Sequence, residues 1–144
     1  MRENMIKSCD VRICAGGKLA GYKGIMPGVL EEILIAAKLG LPIYLLGGFG
    51  GLTSKVCEVI TTGNVPEELT LQWQIENNAG YKKMLDFADM QSSSYTVDYT
   101  KSMNIIKKLD FRNGLSKEEN IRLFRSHYVD EAVFLVLKGL KAIY

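Results

Sequence analysis

The residues of this chain best suited to chemistry cluster at the ends of two short apolar runs. Gly16-Gly17 closes the run Val11 to Ala15, and Gly47-Gly48-Phe49-Gly50-Gly51 closes the run Ile43 to Leu46. Glycine accepts positive φ and carries no Cβ, so such pairs let phosphate oxygens approach bare backbone N–H groups near a helix N-terminus. Lys18, Tyr22 and Lys23 follow the first pair, in a loop that holds two more glycines, Gly21 and Gly24. Cations there can reach phosphates and a tyrosine ring can stack on a base. Gly28 opens the next helix, and Glu31 and Glu32 fall in its first turn. Carboxylates at that place complement the helix dipole by about 0.3–1 kcal/mol, and one turned into the cleft can accept both ribose hydroxyls, as acidic residues do in other nucleotide folds. The chemistry indicated is non-covalent capture of a nucleotide. The competing reading makes the glycines plain tight turns, the cations a solvated loop and the carboxylates dipole partners only.

Standard phosphate motifs do not fit. GGFGGLTSK has the order Thr53-Ser54-Lys55 and lacks the Gly-Lys-Ser/Thr step of a Walker loop, and Gly48-Phe49-Gly50 lacks the third glycine of the dinucleotide fingerprint. Cys9, Cys14 and Cys57 are an odd number without C-x-x-C spacing, so neither a disulfide framework nor a zinc site is indicated, and no metal or cofactor is expected. His127, the single histidine, reads as a polar residue at a helix boundary.

The elements that must position these groups follow from periodicity. Met1 to Ser8 has the spacing of a short amphipathic helix. Asp10 to Ala15 reads as a strand with Val11, Ile13 and Ala15 on one side and Arg12 on the other. A helix from Pro27 or Gly28 runs through Lys38, with Gly40 as its stop and Pro42 preventing continuation. Pro42 to Leu46 is apolar on both faces, as a central parallel strand is. Thr53 or Ser54 can cap a helix running to about Ile60. Further helices are expected over Glu67 to Glu76, Gly80 to Met90, Asp98 to Leu109, from the capping box at Ser116 and Glu119 to Arg125, and over Asp130 to Ile143. Gln91 to Tyr95 reads as a polar loop or short extended piece. Strand, glycine loop and helix in alternation predict a Rossmann-like α/β fold of three layers, with a mostly parallel sheet and a helical C-terminal half. Such a fold normally opens with a strand, a loop and a helix. Here only the tail of that first helix is expected, which points to a fragment of a larger protein or a lost first β-α unit.

A single core is within reach of 144 residues, since a chain of that size buries roughly two-thirds of its unfolded surface. The net charge of +2 is too small to indicate nucleic acid or an anionic membrane as partner. No apolar run approaches a membrane span, the first ten residues lack the apolar core of a signal peptide, and a reducing cytoplasm is the expected location.

Arg2-x-x-Met5, CDVRICAGG, Pro27-Gly28-Val29-Leu30-Glu31-Glu32 and LPIYLLGGFGG together resemble the SLOG superfamily of Rossmann-like domains. That group includes the LOG (lysine-decarboxylase-like) phosphoribohydrolases, the DNA-processing protein DprA/Smf and sensor domains of bacterial anti-phage systems. Its LOG signature is an arginine three residues before a methionine, a short strand, then P-G-G-x-G-T-x-x-E. Arg2 matches the arginine, Gly16 and Gly17 the paired glycines, Gly28 the later glycine and Glu32 the final glutamate. In the enzymes, the matching arginine and glutamate serve cleavage of the N-glycosidic bond of a nucleoside monophosphate. This sequence departs from the pattern: Ala15 replaces the proline, Val29 replaces the threonine, and ten residues, Lys18 to Pro27, stand where the enzymes have one.

The enlarged loop is more similar to SLOG sensors attached to TIR, sirtuin or other effector domains, and NGLSKEENIRLFRSHYVDEAVFLVLKGL is similar to their usual close. The resemblance covers nearly the whole chain, strongest over residues 2–51, with the family's first strand and its loop missing. It implies a sensor of an ADP-ribose-related or other NAD-derived nucleotide, held by Gly16, Gly17 and the loop Gly47, Gly48, Phe49, Gly50 and Gly51. Arg2, Lys18 and Lys23 would then meet phosphate and Glu31 or Glu32 ribose. It also implies a homo-oligomer and a linked effector domain. The alternatives are a nucleotide N-glycosidase using Arg2 and Glu32, and an interaction domain without ligand.

Overall fold

The computed structural model describes residues 1–91 and 97–144, so all but the first residue of the polar segment expected from Gln91 to Tyr95 lies outside the described residues. A short helix α1 (Arg2–Lys7) leads into β1 (Arg12–Ala15), α2 (Gly28–Leu39) and β2 (Ile43–Leu46), followed by α3 (Gly51–Thr62). The remainder is helical: α4 (Leu71–Asn77), α5 (Tyr81–Gln91), α6 (Tyr99–Lys107), α7 (Lys117–Arg125) and α8 (Val129–Ile143). β1 and β2 pair in parallel with Arg12 opposite Ile43 and Ala15 opposite Leu46, so both glycine clusters lie at the same, carboxyl, end of the sheet.

The alternation of β2 builds the three layers. Ile43 and Leu45 join α2, α3 and α6 on one face through Leu30, Ile33, Leu52, Val56, Met103 and Ile106. Tyr44 joins Leu123 of α7 and Ala132, Leu135 and Val136 of α8 on the other, where Leu46 and Val11 also pack. α8 crosses so close above Tyr44 that a Cβ on Gly139 would lie 2.8 Å from its hydroxyl. β1 is covered less completely. Its buried residue is Cys14, while Ile13 and Ala15 are exposed, so the row Val11, Ile13, Ala15 turns away from the larger core. The outer edge of β2 is paired by a connection rather than a strand: Ile43 N–H donates to Phe111 O at 2.9 Å, and the Asn113 amide donates to Ile43 O at 2.7 Å.

Several helix ends follow local rules. Gly40 and Gly63 stop α2 and α3 in the left-handed conformation, where glycine avoids the Cβ penalty. Ser116 and Glu119 form the expected reciprocal capping box of α7. The stretch expected as one helix from Glu67 is divided into a 3₁₀ turn, Glu67–Leu69, and α4, because the Thr70 side chain caps the second piece. The start of α3 also differs from expectation. It begins at Gly51, and Thr53 is not its cap: the Thr53 hydroxyl is turned inward and donates to Gly16 O at 2.9 Å.

Cys14 and Cys57 are buried, and Cys9 is partly exposed. Burial pushes the Cys14 thiol up to about 11 and the Cys57 thiol up to about 12. Both therefore stay protonated and shielded at neutral pH, since the thiolate is the reactive form. Titration of the native protein with a disulfide reagent at mildly alkaline pH is expected to consume one equivalent quickly and all three only after unfolding. A second fast equivalent in the native state would show that the core opens more readily than its packing indicates.

Candidate functional site

The loop between β1 and α2 is held from beneath by helices far away in sequence. Gln74 of α4, fully buried, donates to Leu19 O at 3.1 Å and to Glu68 O at 2.7 Å, and its own amide oxygen accepts from the Tyr22 hydroxyl. Asn78 accepts from Gly21 N–H at 2.7 Å, and the Tyr81 hydroxyl donates to Ile25 O. The Tyr22 and Tyr81 rings meet edge to face, with centroids 6.0 Å apart. Burial raises the pKa of the Tyr22 hydroxyl, so it remains a protonated donor. A loop of this length is thereby fixed rather than left as a solvated excursion.

Above it, a cleft of about 360 Å3 is lined by Arg2, Lys18, Gly21, Tyr22, Lys23, Gly28, Val29 and Glu32. Six sequence-predicted residues thus meet on one surface: Arg2, Lys18, Tyr22, Lys23, Gly28 and Glu32. The N-terminus of α2 opens into the same cleft, and among the described residues no side chain caps it. Its first N–H groups lack intrahelical partners, and the dipole makes that end attractive to anions. Among the described residues no carboxylate pairs with Lys18 or Lys23.

The acidic residues are already engaged. Arg2 contacts Glu31 at 2.9 Å and Glu32 at 3.7 Å, while Arg12, from β1, forms a close ion pair with the other oxygen of Glu32. Glu32 lines the cleft and is largely buried, whereas Glu31 stands outside it. Gly28 makes room for this arrangement, because a Cβ there would lie 2.8 Å from the Arg2 guanidinium. Arg12 is the residue that spacing did not single out. It sat on the minority side of a short strand, and only the crossing of α2 over β1 reveals it as a partner of Glu32. Its Nε is buried and has no hydrogen-bond partner among the described residues.

The glycine clusters divide into open and packed positions. Gly16 and Gly50 have free space where a Cβ would stand, and Phe49 is partly exposed at the rim. Gly17 touches Val29 of the cleft wall. Gly51 lies against Gly16 and Gly17, and the amides of Leu52 and Thr53 donate to Gly17 O at 3.0 Å and Gly16 O at 2.9 Å. Two of the first amides of α3, counted on as part of a shared phosphate cradle, therefore stitch the two loops together. Gly47 and Gly48 are pressed against the end of α7, where a Cβ on Gly47 would stand 2.5 Å from Phe124 O. Among the described residues the end of α2 is left open, whereas two of the first amides of α3 are taken up by the chain itself. Of the predicted glycines, Gly28 lines the cleft, and Gly17 approaches it through Val29.

A larger cleft of about 660 Å3 lies along residues 107–125, between Phe111, Asn113, Asn120 and Phe124. Its two asparagine amides are bonded to each other and to backbone carbonyls, so size does not make it the better site. No helix among the described residues is long and apolar enough to cross a membrane.

A family model described as SLOG cluster2 matches residues 1–123 of the chain. No curated protein and no solved structure matches it.

Proposed function

This chain belongs to the SLOG family, and on that premise we propose that it is a sensor of an ADP-ribose-related, NAD-derived nucleotide. SLOG membership itself makes it a domain of nucleotide-binding type. The observation that supports a phosphate-bearing ligand is the uncapped N-terminus of α2 opening into a cleft flanked by Lys18 and Lys23, neither of which has an acidic partner among the described residues. Phosphate oxygens would take the α2 amides and the two lysines, with Arg2 at the border. Tyr22, whose hydroxyl is committed to Gln74, offers its ring rather than a hydrogen bond. Glu32 would meet ribose while keeping its ion pairs. The cleft's volume lies near the lower end of small-molecule sites, ~300–1,000 Å3, and suits part of a dinucleotide better than all of it.

An N-glycosidase is the rival, because Arg2 and Glu32 stand together at the cleft as the enzyme reading requires. Two measurements on one sample separate the readings. Titration calorimetry with ADP-ribose, AMP and NAD should give saturable heat, with ADP-ribose and NAD preferred to AMP. Chromatography of the same mixtures should show no free base. Steady release of base, abolished in Glu32→Gln, would replace the sensor by the hydrolase, and absence of heat with every compound would leave an interaction domain.

A further inference from the structure

α8 is apolar on two sides, and only one of them is used. Ala132, Leu135, Val136 and Gly139 are buried against the sheet and α7. On the opposite side Val133, Phe134 and Leu137 are 50%, 60% and 59% exposed, and Tyr144 extends the same stripe just past the helix end. An apolar stripe on a helix ordinarily packs against another element, and among the described residues this outer stripe is left exposed.

The charges along the stripe indicate what covers it. Four ionisable side chains flank it: Asp130, Glu131, Lys138 and Lys141. Glu131 is paired with Arg122 and Lys138 with Glu119, inside the chain. That leaves Asp130 at the start and Lys141 at the end, opposite in sign, without ion-pair partners among the described residues. At 100° per residue, positions 130, 134, 137 and 141 fall on one face. They are symmetric about the middle of the helix. If two copies of α8 meet antiparallel across a two-fold axis, Asp130 comes opposite Lys141 of the partner subunit, and Phe134 opposite Leu137 of the partner subunit, each contact occurring twice. This is the self-complementarity an isologous interface needs.

We propose that the outer face of α8 is a self-association surface, on which two copies of this chain pair antiparallel through Phe134 and Leu137 with Asp130–Lys141 contacts at both ends. The surface lies across the sheet from α2 and the cleft, so the proposal does not rest on the ligand.

Sedimentation equilibrium of the whole chain tests it. The unmodified chain should give the mass of a dimer. Phe134→Asp combined with Leu137→Asp should give a monomer with unchanged far-ultraviolet circular dichroism, since both side chains are outside the core. Asp130→Lys alone and Lys141→Asp alone should each raise the dimer dissociation constant about tenfold, because symmetry doubles every like-charge contact. The two together should return it to the original value. A monomer at all concentrations would overturn the proposal, as would a dimer that survives the double aspartate substitution. So would a charge exchange that fails to restore association.

Discussion

Gly48→Ala is expected to lower the stability of the protein on the order of 3 kcal/mol or more, with a fall in melting temperature of roughly 10 °C for a domain of this size. The cause is steric and does not involve φ. A Cβ on Gly48 would fall inside the Ser126 carbonyl and 3.1 Å from His127 N, and both neighbours are backbone. No rotamer change relieves that clash; the C-terminal end of α7 must move, taking with it the His127 Nδ1 contact to Gly48 O at 2.8 Å. α7 also packs directly on β2, so the displacement reaches the strand whose end carries the loop. Gly21→Ala is the matched control. Gly21 has a φ of +72° but open space around its missing side chain, so the cost is the left-handed penalty alone, ~1–2 kcal/mol. Thermal unfolding of the two variants, followed by circular dichroism, should rank Gly48→Ala well below Gly21→Ala. Equal losses would mean that the α7 end yields easily, and the contact would not be structural.

Residues 47 and 48 also show where sequence reasoning stops. Glycines after a strand have two uses, ligand approach and close backbone packing, and local sequence does not distinguish them. The difference lies in α7, more than seventy positions along the chain. By contrast, signals complete within a few residues were legible: the Ser116–Glu119 capping box, the Gly40 stop and the two-sided apolar run of β2 all correspond to observed structure. Pairing with Arg12 distinguishes Glu32 from Glu31, and that pairing requires the α2 crossing. The hold on the long loop was equally hidden, because Gln74, Asn78 and Tyr81 carry no motif and act at separations of more than fifty residues. Thr53 was misread for the same reason. A threonine near a helix start resembles a cap, but α3 already begins at Gly51, and both the amide and the hydroxyl of Thr53 are turned to Gly16 O.

Removing both cleft lysines is the functional change with the largest expected effect. Lys18→Ala combined with Lys23→Ala should weaken binding of ADP-ribose roughly 30- to 150-fold, since each charged hydrogen bond to phosphate contributes about 1–1.5 kcal/mol at an exposed site. Folding stability should change by less than about 0.5 kcal/mol, because both side chains are exposed and neither joins an ion pair among the described residues. That separation is why the lysines are a better probe than Arg2. Arg2 ties α1 to both glutamates of α2, and its loss would disturb the cleft wall together with any phosphate contact. Salt supplies the second readout. Affinity of the unmodified chain should fall as ionic strength rises and screens exposed charges, while the double variant, already lacking them, should show a much flatter dependence. If the lysine variant bound as tightly as the original, or lost affinity with an unaltered salt dependence, the phosphates would have to lie elsewhere. The uncapped end of α2 would then be serving the fold alone.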